Sequence, residues 1–206
     1  MPPRPQLVVA AIRWSAASLA WAVLAGGASV GVGIAASSVA LIGFGASSVL
    51  DGSASAVLIW RFRHEAAGGD ADAVERSAAL AIGVVLGLLA IYLTASAIAA
   101  LATHGAPERT VTGIVITAAS VLVLPVLASA KLRLAAQLAS PGLRSDGVLS
   151  MAGSALAGAT LVSIVVDDAF GWWWADAVAA LLIAALLLAE AQRAVRVSLS
   201  AGSFEA

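Results

Sequence analysis

Between Leu7 and Arg61 the chain carries only two charged residues, Arg13 and Asp51. No other feature constrains the fold as strongly. From Trp14 to Trp60 a single helix would be about 70 Å long at about 1.5 Å per residue, more than twice a hydrocarbon core of about 30 Å. The stretch therefore needs two crossings, divided near Ala36-Ser37-Ser38. The rest of the chain repeats the pattern, and apolar runs fall at about 10–34, 39–60, 77–102, 110–130, 146–168 and 174–195. Hydrophobic residues make up 61% of the chain and charged residues 11%. A water-facing surface cannot be covered from so few charges, because soluble domains carry roughly 25%. The runs show no alternation of polar and apolar residues, which argues against a β-barrel. The expected fold is all-α: an integral membrane bundle of six helices over residues 10–196. It has a tail at 1–9, a short tail at 197–206, and no soluble C-terminal domain expected.

Charge orients the bundle. Ten of the eleven cationic residues fall at the N-terminus, the 2–3 connection, the 4–5 connection or the C-terminus. They are Arg4, Arg13, Arg61, Arg63, Arg76, Lys131, Arg133, Arg144, Arg193 and Arg196; only Arg109 lies in the other set of loops. By the positive-inside bias, both termini are expected in the cytoplasm, in a bacterial-type inner membrane. Trp60 marks the cytoplasmic interface, and Trp172-Trp173-Trp174 the outer one. The run after Arg13 is too long for a cleavable signal.

Several functions are excluded by what is missing. A net charge of −1 suggests no nucleic-acid partner. With no cysteine there are no disulfides or thiolate ligands. The two histidines, His64 and His104, sit at opposite ends. There is no phosphate-binding GxxxxGK[ST] loop and no hydrolase or transferase constellation, so neither an enzyme nor an ATP-driven pump is expected.

Asp51 then becomes the leading candidate. It lies ten residues before Arg61, about 15 Å into the membrane. An unpartnered carboxylate there costs about 3 kcal/mol or more, so such residues mark transport and proton-relay sites or act as hydrogen-bonding glue between helices. Ser47 and Ser55 lie one turn to either side on the same face, beside Ser48. On the fifth run, LRSDGVLSMAGSALAG holds Asp146, Ser150 and Ser154. Asp146 is placed at the cytoplasmic mouth, either capping its helix or attracting cations. Antiparallel packing of runs two and five brings Asp51 level with Gly153. Glu190 reads as an ion-pair partner of Arg193, Asp176 as a helix cap, and Asp167 and Asp168 as a solvated outer loop. Gly27 and Gly31 permit a close helix contact.

In order and spacing, GFGASSVLDGSASAVLIWRFRHE, VLPVLASAKLRLAAQL, LRSDGVLSMAG and GWWWADA resemble the transmembrane domain of the cation diffusion facilitator, or cation efflux, family. The resemblance runs over about residues 8–196. It implies secondary-active efflux of a divalent cation such as zinc, manganese, cobalt or iron in exchange for protons, from a homodimer in the lipid bilayer. It also implies a metal site of two residues four apart on segment two and two more on segment five. On that pattern the positions are Ser47 and Asp51, with Leu149 and Gly153 across from them. Asp51 is the central ligand and proton carrier, Ser47 an auxiliary ligand, and Asp146 the residue that receives the cation at the cytoplasmic mouth. Leu149 and Gly153 offer no ligand. One carboxylate with hydroxyls, carbonyls and water suits a harder or more weakly held cation than a trapped zinc ion. Two alternatives stay open: a transport-inactive homologue that partners another membrane protein, and a carrier of an organic or monovalent cation.

Overall fold

The computed structural model describes residues 3–36, 39–68, 71–104 and 111–200. They form six helices: α1 Arg4–Ala36, α2 Val39–Ala66, α3 Ala71–Thr103, α4 Val111–Leu138, α5 Pro141–Phe170 and α6 Ala175–Ser200. Most run past the apolar spans, because hydropathy marks the hydrocarbon while backbone hydrogen bonding continues beyond it. α5 begins five residues before Asp146, where Ser140 caps it by accepting from the Leu143 N–H at 3.2 Å and Pro141 occupies the first turn. Asp146 is therefore not the cap of this helix. The same helix ends at Gly171, left-handed at φ 68°, whose N–H reaches the Asp167 carbonyl at 2.8 Å. Asp167 and Asp168 thus lie in the last helical turn rather than in a loop.

Contacts between helix ends show the alternation. Arg4 at the start of α1 meets Glu65 at the end of α2, at 2.7 Å. Arg61 meets Glu75 at the start of α3 at 2.6 Å, and Glu75 accepts from Ser140 Oγ and the Gly142 N–H, both at 2.9 Å. Arg144 and Ser145 on α5 meet Glu190 near the end of α6. At the opposite end the His104 ring lies 4.4 Å from that of Trp173. The helices therefore run alternately up and down, and α1 begins at the same end at which α6 finishes. We call this the termini end.

Arg61 and Lys131, expected in the 2–3 and 4–5 connections, lie instead within α2 and α4 and are buried, with exposures of 3% and 0%. Arg61 holds Glu65 and Glu75 together, both at 2.6 Å, and so ties α2 to α3. The expected pairing of Glu190 with Arg193 is present at 3.4 Å, alongside Arg144. Asp176 is the second residue of α6 rather than its cap, and its carboxylate accepts from Thr160 Oγ1 of α5 at 2.7 Å, so it joins two helices.

Five helices are long and apolar enough to cross a membrane by length and composition; α2 is not among them on its described residues. The outside of the bundle is apolar, and its largely apolar interior also buries a set of polar side chains. Val23, Leu24, Val115, Leu122, Val162, Leu182 and Leu186 are exposed, whereas Ser15, Ser18, Ser55, Ser120, Ser150, Ser163, Lys131 and Asp146 are buried. Lipid favours this arrangement, because it keeps polar side chains away from hydrocarbon. α5 lies centrally and packs against α2, α3, α4 and α6. Its small residues let α4 approach closely: a Cβ on Gly147 would come within 2.9 Å of Leu132 Cγ and Cδ2. Gly147→Val is expected to destabilise the bundle by about 1–3 kcal/mol through overpacking. Denaturant unfolding in mixed micelles measures this, and an unchanged midpoint would show that the α4–α5 contact yields freely.

Candidate cation site

Lys131 belongs to the buried face of α4, in line with Leu124, Leu127, Ala128, Leu134, Ala135 and Leu138. Its spacing of three and four residues from these neighbours points the side chain into the bundle. There the ammonium Nζ lies 2.7 Å from Asp146 Oδ2, 3.1 Å from Ser150 Oγ and 3.2 Å from Ser55 Oγ. An ammonium has three N–H groups, and each has an oxygen. Ser55 passes the interaction on, with its hydroxyl 3.2 and 3.4 Å from the two Asp146 oxygens. Lys131 and Asp146 are both 0% exposed. An isolated ion at that depth is heavily penalised; a pair with all its donors met is tolerated.

Asp51 lies one turn before Ser55 on α2, about 6 Å along the axis toward the opposite end. It faces a cavity of about 140 Å³ whose wall includes Trp21, Ser48, Ser120, Gly153 and Thr160. Its Oδ1 is buried and accepts no hydrogen bond from the described residues. Of the described residues lining this cavity, Asp51 alone is ionisable. Most of the lining lies level with Asp51 or toward the end opposite the termini, as Thr117 to Leu124 on α4 and Gly153 to Thr160 on α5 do, while Leu149 and Leu187 reach about one turn toward the termini end. On the termini side the adjoining layer is closed, since Ser55, Leu58, Lys131, Asp146 and Ser150 are all at most 1% exposed.

The residues singled out in the sequence separate as follows. Asp51 faces the cavity. Asp146 lies in the closed layer, paired with Lys131, and not at a solvent-facing mouth. The Ser47 side chain lies outside the described residues. Leu149 and Gly153 line the cavity with Asp51, at the depth expected for them, and bring no ligating group. The oxygen-bearing positions four apart on both helices are instead Asp51 with Ser55 and Asp146 with Ser150. This set sits one turn nearer the termini end on both helices. Among the described residues no group of three or more His, Asp or Glu is placed to hold a metal ion. The participant missed in the sequence is Lys131. Its position on the apolar face of α4, in contrast to Arg133 two residues on, was the available signal.

The helices alternate in direction, with exposed apolar side chains outside, a buried ion pair at the centre and the Asp51 carboxylate facing a cavity one turn away. The model of the cation efflux transmembrane domain matches residues 15–201. The chain belongs to that family, and is an integral, multi-pass membrane protein of the cation-transporting kind. No curated protein matches the sequence.

Removing one member of the buried pair leaves the other uncompensated. Lys131→Met is therefore expected to cost about 3–5 kcal/mol of stability, and the double variant Lys131→Met with Asp146→Asn to recover most of it. Unfolding midpoints of the three proteins decide this. Equal midpoints for the single and double variants would mean that Lys131 and Asp146 are not coupled.

Proposed function

We propose that this protein is a secondary-active cation transporter in which Asp51 takes up the cargo and exchanges it for a proton. One observation carries the reading. The interior charges at Lys131 and Asp146 are matched, whereas Asp51 presents a buried, unpartnered oxygen to a cavity. A carboxylate in that setting is stabilised either by a bound cation or by protonation, so the two compete for one group. We take α2 as the sixth crossing and the termini end as cytoplasmic, on the charge bias of the flanking residues. Most of the cavity lining then lies level with Asp51 or on its outer side. The closed layer of Ser55, Asp146, Lys131 and Ser150 stands between Asp51 and the cytoplasm. Cargo from the cytoplasm reaches Asp51 when that layer opens and leaves by the outer cavity, and a proton returns on Asp51. A homodimer in a bacterial-type inner membrane fits the family resemblance.

The resemblance by itself makes a divalent metal the first cargo to test. Proteoliposomes with an imposed proton gradient are expected to move a cation, and Asp51→Asn is expected to remove more than nine-tenths of the flux, roughly the loss of one charge-assisted interaction. If wild-type protein moves no cation, or Asp51→Asn moves it equally well, the mechanism fails. A second reading is favoured by the closed layer: Lys131 neutralises Asp146 permanently, and the chain serves as a transport-inactive membrane partner. It expects no cation-dependent stabilisation and a stable hetero-partner on purification.

Topology is testable separately, because the chain has no cysteine of its own. In intact cells a membrane-impermeant maleimide is expected to label Ala169→Cys, and to label Ala67→Cys only after permeabilisation. The reverse pattern would turn the bundle over and with it the direction of efflux.

A further inference from the structure

Lys131, Asp146 and Asp51 are the ionisable groups that meet at the centre of the described bundle. Lys131 and Asp146 cancel at 2.7 Å, so Asp51, when ionised, carries the one uncompensated charge of the three. We propose that the cargo of the Asp51 cavity is a univalent organic ammonium ion. Lys131 sets that choice by standing as a built-in cation in the half of the site formed by Ser55, Asp146 and Ser150. The inference rests on the reading that Asp51 takes up a cation, and adds the class of cargo.

Charge is the first argument. A univalent cation on Asp51 makes the interior neutral. A divalent ion would leave a net positive charge in a medium of low dielectric, one turn from an ammonium that has no room to withdraw. Ligand number is the second. Zinc takes about four ligands and calcium six or more, whereas this cavity offers one carboxylate and a few hydroxyls. Those hydroxyls already donate elsewhere: Thr117 to the Gly113 carbonyl at 2.7 Å, Ser120 to the Ile116 carbonyl at 2.9 Å, and Thr160 to Asp176 at 2.7 Å. What they retain are oxygen lone pairs, which suit the N–H groups of an ammonium.

The wall is the third argument. Beyond these oxygens it is apolar: Leu89, Leu93, Leu124, Leu156 and Ile183, with the Trp21 indole among them. A metal ion gains nothing from such a wall. The carbon body of an organic cation is desolvated against it, and an indole ring attracts the cationic head. The volume agrees, since a cavity of about this size holds a guest as large as benzene.

The test is the melting temperature of the purified full chain, at matched ionic strength, with tetramethylammonium, benzylammonium, zinc or manganese chloride. At least one ammonium ion is expected to raise it, and neither metal ion to do so. Asp51→Asn is expected to lose the rise. Lys131→Met leaves two carboxylates at the centre and is expected to respond to zinc or manganese instead. Lys131→Met with Asp146→Asn again leaves one carboxylate, and is expected to return to ammonium; it also serves where the single variant does not fold. Stabilisation and flux of wild-type protein with a divalent metal and with no ammonium ion would overturn the inference while leaving the transport reading intact. So would a double variant that prefers metal. No response to any of the four ions would overturn both.

Discussion

An ammonium and a carboxylate held 2.7 Å apart, with neither exposed to solvent, are the constraint on which the rest of this bundle depends. In hydrocarbon each ion is untenable alone, so Lys131 and Asp146 must find each other, and α4 and α5 must meet at that level and no other. The remaining two N–H groups of the ammonium need oxygens, and Ser55 and Ser150 supply them from α2 and α5. One side chain therefore fixes the relative height of three helices. Gly147 makes the approach possible, since any larger residue there would meet Leu132.

The pair also divides the interior in two. Toward the termini lies a packed layer, sealed further out by Arg61 between Glu65 and Glu75 and by Glu75 across the start of α5. Toward the other end lies most of the cavity, with Asp51 as the only ionisable residue among its described lining. On the transport reading proposed above, the carrier opens to one side at a time, and polar contacts that knit one end while a cavity remains at the other give that asymmetry a physical form. Breaking the closed layer means parting charges in low dielectric, which only a compensating charge or a proton makes affordable.

Much of the architecture was legible because hydrocarbon imposes a length and an aversion to charge. The apolar runs, the break after Ala36, the alternation of the helices and the depth of Asp51 against Gly153 all follow from counting residues between charges. The helix ends were less legible: apolarity reports where lipid stops, whereas Ser140 and Pro141 report where backbone hydrogen bonding starts. The least legible part was the cluster. Hydropathy treats KLR at the end of an apolar run as a solvated flank. In fact α4 continues for two further turns, and its periodicity turns Lys131 inward while Arg133 sits off that face.

The sequence by itself determined a membrane-embedded helical protein of the cation efflux family, with a carboxylate deep in the second helix. These properties reside in the order of residues along one chain, since the bilayer reads length, apolarity and charge locally. Only the tertiary structure decided which oxygen-bearing residues share a site. It placed Ser55, Asp146 and Ser150 around Lys131, and left Asp51 to the cavity. That choice rests on the rotation and height at which three helices pack, which are set by contacts between residues 76 and 91 positions apart in the chain. No local pattern encodes them.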